Sequence, residues 1–381
     1  MKRVVKLLSQ SYLPNQGRYP RITSEAKSLI KQGHKILIFG WDRVGNCPES
    51  ELIGDIEVRR VSVMSKEMRG PVQILFLVAF WINSFVRLLN ENIDIIHCHN
   101  LDVMPLGYIL SRVKGCRLIY DAHEPDYYTL WPERWHFLLK IIDRIELFLA
   151  KRSHAVIVTN NYQMEKFKNN GIINIRIIGN YPIDDFIINT PKKDVKDKGV
   201  VFGRIGTIYP DIGLEEVSLA MEEIIKKYPD TRLFLAGRVV GVYEQQFNEI
   251  LKRLEGYVEY TGTYRAEEMT DLYRKIDVSL LIYRRNKWFK NITPTKFYDT
   301  LANGVPVIMT DIGRLGKIIE ENRCGLVVDE NDIKAIVQAM ERMLTDKDMR
   351  KEMSENGLNL IKREYNWDKM AEELREIYAT L

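Results

Sequence analysis

Short apolar runs, each closed by glycine or polar residues and each followed by an amphipathic stretch, recur from one end of the chain to the other. The first half carries VVKLLSQS, KILIFG, IEVRRVSVM, IDIIHCHN, RLIYDAH, AVIVTN and IRIIGN. The second carries GVVFGRIG, RLFLAGR, VEYTGTY, DVSLLIY, VPVIMTD and GLVVD. Runs this short and this continuously apolar suit strands covered on both faces, the condition of a parallel sheet. The stretches between them, such as ITSEAKSLIKQG with its stop at Gly33, complete β-α-β units. The pattern predicts an α/β chain of two doubly wound, Rossmann-like domains facing across a cleft.

Length agrees, because 381 residues exceed one ordinary core. The polar, charged stretch NTPKKDVKDKG, residues 189–199, is the predicted boundary. It gives domains 1–190 and 195–364, and NWDKMAEELREIYATL, within 365–381, reads as a separate amphipathic helix.

Cys47, Cys98, Cys116 and Cys324 show no C-x-x-C spacing, which argues for a reducing compartment and against a disulfide framework or thiolate zinc site. The start MKRVVKLLSQSYLPNQG returns to polar residues too early for a signal peptide. ILFLVAFWI, residues 74–82, falls short of the roughly 20 residues a membrane span needs. A cytoplasmic protein is expected. Net charge is +4, yet the first ninety residues hold 14 Lys and Arg against 7 Asp and Glu. That excess reads either as a solvated surface or as attraction to an anionic membrane or ligand. Nucleic acid is not expected, because the basic residues lack interleaved aromatics on one face.

Ligands of open parallel sheets gather outside the carboxyl ends of the strands. In the first domain those ends hold His97, His99 and Asn100, then Asp121, His123 and Glu124. In an extended chain His97 and His99 share a face, as do Asp121 and His123. No further spaced ligands support a zinc site there. His97 reads as a core histidine satisfied by backbone, and His123, between two acids, as functional. In the second domain Gly203 and Gly206 allow close backbone approach, Arg204 and Arg238 add positive charge, and Gly262 and Tyr264 lie at the next strand end.

The stretch NITPTKFYDTLANGVPVI, residues 291–308, predicts a helix with Thr293 as N-cap and Pro294 first inside, closed by Gly304. A helix start attracts phosphate, and Lys296 in its first turn is misplaced for the dipole unless an anion sits there or it points to water. Asp299, one turn on, suits sugar hydroxyls, as ribose carboxylates do in other nucleotide sites.

Taken in order, these segments resemble the retaining, GT-B-fold glycosyltransferases of the family 4 type, along nearly the whole chain. YPRITSEAKSLIKQGHKILIFGWDR is similar to the family's first helix and second strand. DIIHCHNLDVMPLGYILSRVKGCRLIYDAHE resembles a segment of its polysaccharide and lipopolysaccharide sugar transferases. YTGTYRAEEMTDLYRKIDVSLLIY and PTKFYDTLANGVPVI resemble the donor-domain core, and the closing helix resembles the one that crosses back onto the N-terminal domain.

The resemblance implies transfer of a sugar from a nucleotide-diphosphate donor, UDP- or GDP-linked, with retention and without a cofactor. It puts His123 at the donor sugar, Gly206 beneath the phosphates, Thr295 and Lys296 at the diphosphate, and Asp299 at the ribose. Two departures stand out. The first glutamate of the family's E-x7-E falls on Asn291, and the charged pair of its phosphate loop falls on Thr207 and Ile212. Arg204, Arg238, Lys296, Arg284 and Arg285 are the candidates to replace that charge. On the acceptor side the expected residues are Asn15, Gly17, Arg18, Arg21, His99 and Glu124. The apolar helix PVQILFLVAFWINSFVRLL reads either as a core helix or as a surface resting on the inner leaflet, the latter implying a lipid-linked saccharide acceptor. The D-x-D at 346–348 lies in a charged helical stretch, so no metal is expected, and no carboxylate pair supports a glycosidase. An epimerase of the same architecture and a non-catalytic nucleotide-sugar-binding subunit are the alternatives.

Overall fold

The computed structural model describes residues 1–13, 20–65, 73–123, 136–188, 199–286, 289 and 292–381. The chain forms two compact units, Met1–Asn180 with Lys369–Leu381, and Tyr181–Asp368.

The first unit runs β1 (Arg3–Leu7), α1 (Pro20–Lys31), β2 (Lys35–Asp42), β3 (Ser50–Ile53), β4 (Ile56–Ser62), α2 (Gln73–Leu88), β5 (Ile95–His99), α3 (Met104–Lys114), β6 (Arg117–Ala122), α4 (His136–Ala150), β7 (Ala155–Val158), α5 (Asn161–Asn169) and β8 (Ile175–Ile177). Its sheet has the order β3-β4-β2-β1-β5-β6-β7-β8. All seven predicted runs are strands in it, paired in parallel. The eighth, β3, pairs antiparallel with β4 at the edge. It lacks an apolar run, and only the turn at Gly54, with φ 59°, marks it in the sequence.

The second unit runs β9 (Val201–Ile205), α6 (Leu214–Lys227), β10 (Arg232–Ala236), α7 (Glu244–Arg253), β11 (Val258–Tyr260), α8 (Met269–Tyr273), β12 (Val278–Leu281), α9 (Thr295–Ala302), β13 (Val307–Thr310), α10 (Leu315–Asn322), β14 (Gly325–Val328), α11 (Ile333–Thr345) and α12 (Lys347–Arg363). Its six strands, those predicted, are all parallel in the order β11-β10-β9-β12-β13-β14. Strand order reverses beside β1 and beside β9, the switch points where such sheets leave a crevice.

The last helix, α13 (Trp367–Thr380), joins the first unit from Lys369 onward. There the Lys2 ammonium donates to the Tyr378 carbonyl at 3.0 Å. The division between units falls at 180/181, ahead of the predicted stretch 189–199, of which 189–198 lie outside the described residues. Residues 181–188 already belong to the second unit. The Tyr181 ring meets those of Tyr298 and Tyr365, and the Ile188 amide donates to the Ala302 carbonyl at 3.0 Å.

Candidate active site

In the first unit the parallel register sets Lys6 opposite His97 and His99 opposite Asp121. His97 and His99 do share a face, and their rings stack at 4.4 Å. Lys6 is fully buried; its ammonium donates to Glu25 and lies 3.2 Å from both His97 Nδ1 and His99 Nε2. His97 Nδ1 also meets the Tyr378 hydroxyl at 2.8 Å, and His97 Nε2 lies 3.4 Å from Asp121 Oδ2. Arg21 grips both Asp121 oxygens at 2.9 and 3.0 Å, and its Nε lies 2.9 Å from Glu25 Oε1. Two buried cations therefore balance two buried anions. Such a set is far less costly than any one member left alone.

The network assigns the histidine tautomers. An ammonium only donates, so His99 Nε2 accepts from Lys6 and His99 carries its proton on Nδ1. That proton points at His123 Nε2, 2.7 Å away. His123 accepts it and keeps its own N–H on Nδ1. Asp121 Oδ2 lies 3.2 Å from His123 Nε2. The backbone agrees: Asn100 adopts φ 73°, outside the usual range for a side-chain-bearing residue, and its Oδ1 accepts the His123 amide at 3.1 Å.

Burial first, and then the Lys6 charge, lowers the pKa of His97 and drives that of His99 well below the imidazole range. Burial acts against Asp121's charge too, but the Arg21 guanidinium above all holds its carboxyl well below the usual carboxylate range. Burial lowers the Lys6 pKa, opposed by Glu25.

These contacts correct three expectations. His97 is a core histidine, but side chains satisfy it rather than backbone. Arg21 and His99, expected against the acceptor, are buried and committed to Asp121, Glu25, Lys6 and His123; they support the histidine from beneath. Glu25, His97, His99 and Asp121 bring ligand atoms within 4.8 Å of one another, the spacing of a metal site. Lys6 and Arg21 already engage those atoms. Lys6, Glu25 and Tyr378 were missed; a lysine inside VVKLL was the available signal. Asn15, Gly17, Arg18, Glu124 and Asn291 lie outside the described residues.

In the second unit the strand ends converge on two glycines. Gly206 and Gly237 have φ 142° and 140°, a region that other residues rarely adopt. The Gly206 amide donates to the Ala236 carbonyl at 2.8 Å, and a Cβ on Gly237 would stand 1.9 Å from the Gly206 carbonyl oxygen. A Cβ on Gly206 would stand 3.1 Å from Lys296 Cε, so the lysine chain lies directly over the glycine. α9 begins at Thr295, one residue later than predicted, with Pro294 rather than Thr293 at the cap and no side-chain cap bond. Thr295 is exposed.

Lys296 Nζ donates to Asp299 at 2.9 Å. Burial opposes the charge, yet Asp299 and the nearby tyrosines Tyr273 and Tyr264 raise the lysine's pKa above its ordinary value. The misplaced cation thus has an acid of its own helix as partner. Arg204 departs from expectation: it is buried, donates to the Leu280 carbonyl at 3.3 Å and lies over the Tyr283 ring. Arg284 pairs with Glu216, and Arg285 with Asp329 and Glu330. Thr207 is exposed, Ile212 is core, and Tyr264 is half-buried against the cluster around Ile205 and Phe234. Arg238 is exposed just past β10 and, among the described residues, has no side-chain partner. Of the candidate cations, Arg238 is therefore unpaired among the described residues, and Lys296 is held by Asp299. Asp346, first of the D-x-D, caps α12 by accepting the Met349 amide at 2.8 Å.

Residues 21–181 match the family model described as Glycosyltransferase Family 4, and residues 185–360 the one described as Glycosyl transferases group 1. The D-inositol 3-phosphate glycosyltransferase of Corynebacterium urealyticum is 30% identical over 192 residues, 48% of the chain and 43% of that protein. The lipopolysaccharide core biosynthesis mannosyltransferase of Rhizobium meliloti is 24% identical over 47% of the chain and 51% of its own length. The chain thus matches about half the length of these relatives. Among solved structures, Anabaena HepE in complex with UDP-glucose covers 100% of both chains at a TM-score of 0.71 and 15% identity, a likeness of fold.

Proposed function

The chain belongs to the GT-B-fold glycosyltransferases of the family 4 type, and from that premise we propose which sugar chemistry it performs. It takes a sugar from a nucleotide diphosphate, UDP- or GDP-linked, and passes it with retention to a saccharide or lipid-linked saccharide in cell-surface glycan synthesis. It works in the cytoplasm at the inner-membrane face and uses no metal. Support for the donor and acceptor classes comes from the UDP-glucose complex and the lipopolysaccharide enzyme among its likenesses.

The observation that carries the reading is the meeting of Gly206, Gly237, Lys296 and the exposed start of α9 at the carboxyl ends of β9 and β10. Cleavage of the sugar–phosphate bond builds charge on the departing diphosphate. Fixed donors at that point stabilise it without reorganising. Lys296 and Arg238 supply the charge, and the uncapped N–H groups of Thr295 and Lys296 supply the dipole. Asp299, while holding Lys296, accepts from ribose hydroxyls. The acceptor hydroxyl enters on the face the phosphate leaves, and its proton passes to that phosphate. His123, its proton fixed on Nδ1, donates to a hydroxyl of the donor sugar and steadies the sugar as positive charge grows on it.

His123→Ala is expected to cut kcat by about 100-fold or more while the donor still raises the melting temperature. Thermal shifts with UDP-, GDP-, ADP- and dTDP-sugars identify the donor, and NMR of the product reads the anomeric configuration. Wild-type kcat in His123→Ala removes the histidine's role. No shift with any nucleotide sugar overturns the reading.

A further inference from the structure

Three helices lie side by side on the first unit: α2 packs on α3, and α3 on α4. The Trp81 indole donates to the Asp102 carbonyl just before α3 at 2.8 Å, and Tyr108 meets Phe148 edge-on at 6.3 Å. α2 buries Phe80, Ser84 and Leu88, as a core helix would. Its opposite side is also apolar, and it is uncovered. Ile74, Leu75, Val78, Ile82 and Val86, with Leu89 just past the end, are all exposed, Leu75 at 70% and Ile82 and Val86 at 60%. At about 100° per residue these six fall within one arc of about 120°. Val113 of α3 and Ile145 and Phe148 of α4 are exposed as well.

The exposed charges carried by these helices have one sign, although Arg87 pairs with the exposed Glu49 from outside them. On the three helices and the turn after α4, the exposed charged residues are Arg87, Arg112, Lys140, Arg144, Lys151 and Arg152. The two acids of these helices, Asp143 and Glu146, are not exposed and both pair with Lys166. We propose that this face docks on an anionic lipid bilayer surface, the apolar stripe entering the acyl boundary while the arginines and lysines meet the headgroups. A second copy fits less well, because it would set a basic rim against a basic rim. No helix among the described residues is long and apolar enough to cross a membrane. The docking gives the membrane placement proposed above a defined surface, and its test is independent of sugar transfer.

The test is co-sedimentation of the full chain with vesicles of phosphatidylcholine alone or containing phosphatidylglycerol. Binding is expected to be at least about tenfold tighter to the anionic vesicles and to weaken with salt. Ile82→Glu/Val86→Glu should abolish it and Arg112→Glu/Arg144→Glu should remove its preference for anionic lipid. Both should keep the circular dichroism spectrum and the thermal shift given by nucleotide sugar. Absence of binding to anionic vesicles, or binding unchanged in both variants, overturns the proposal. So does a concentration-dependent dimer in analytical ultracentrifugation that Ile82→Glu/Val86→Glu dissolves, which would assign the face to a second copy.

Discussion

Lys6 stands between Val5 and Leu7 on β1, and that one residue orders the histidines around it. A buried ammonium with Glu25 and two imidazole nitrogens in reach fixes which nitrogen of His99 bears hydrogen, and through it the tautomer of His123. The arrangement has a consequence for stability. His97 and His99 titrate below their ordinary value when folded, whereas the unfolded chain takes up those protons near pH 6.5. Stability present above that pH should fall as pH drops below it, at up to about 1.4 kcal/mol per pH unit for each histidine. His34 and His154 are lowered in the same direction, so the slope is best compared between wild type and His99→Gln. Urea unfolding between about pH 5 and 7 should show the variant's slope reduced by up to one proton. Equal slopes would mean that His99 is not linked to folding. From the sequence, His123 was legible as a candidate because acids flank it. The lysine's part was not, since its partners come from α1 and β5.

At the scale of elements, the donor-side geometry depends on how closely two strand ends approach. β9 and β10 end in glycines with positive φ, and the Gly237 position has no room for a methyl group against the Gly206 backbone. Gly237→Ala should destabilise the second unit by about 1–3 kcal/mol through strain. It should also displace Gly206 from beneath Lys296 and weaken nucleotide-sugar binding. Gly241→Ala is the control, because a Cβ there meets nothing within 4 Å. Calorimetric melting with and without donor reads both effects, and equal behaviour of the two variants would contradict the argument. Gly206 was legible as a glycine after a strand. Gly237 was not singled out, because the need for glycine there comes from another segment's backbone.

At the scale of the whole molecule, the last residues of the chain belong to the unit that its first residues build. From Lys369 the chain joins the first unit, where Leu374, Ile377 and Tyr378 are buried and the Tyr378 hydroxyl meets His97. Removing 369–381 should expose the apolar surface they cover and leave His97 without that partner. The first unit should then melt several degrees lower, with the donor-induced shift of the second unit retained. Differential scanning calorimetry of the truncated chain decides this, and an unchanged first transition would refute it. An amphipathic closing helix was plain in the sequence, and the resemblance implied its return to the first domain. The division between the units falls at 180/181, ahead of the charged stretch after residue 188 in which the sequence places the boundary.

Local pattern alone determined the two parallel sheets: apolar runs of strand length with helical stretches between them have few other ways to bury both faces. It also determined which strand ends to search for chemistry. Tertiary structure decided the rest: that Arg21, His99 and Arg204 turn inward, that Lys6 lies among the histidines, and that α2 leaves half of its apolar surface in the open. Each of these depends on what stands opposite a side chain across space, which periodicity along one segment does not encode.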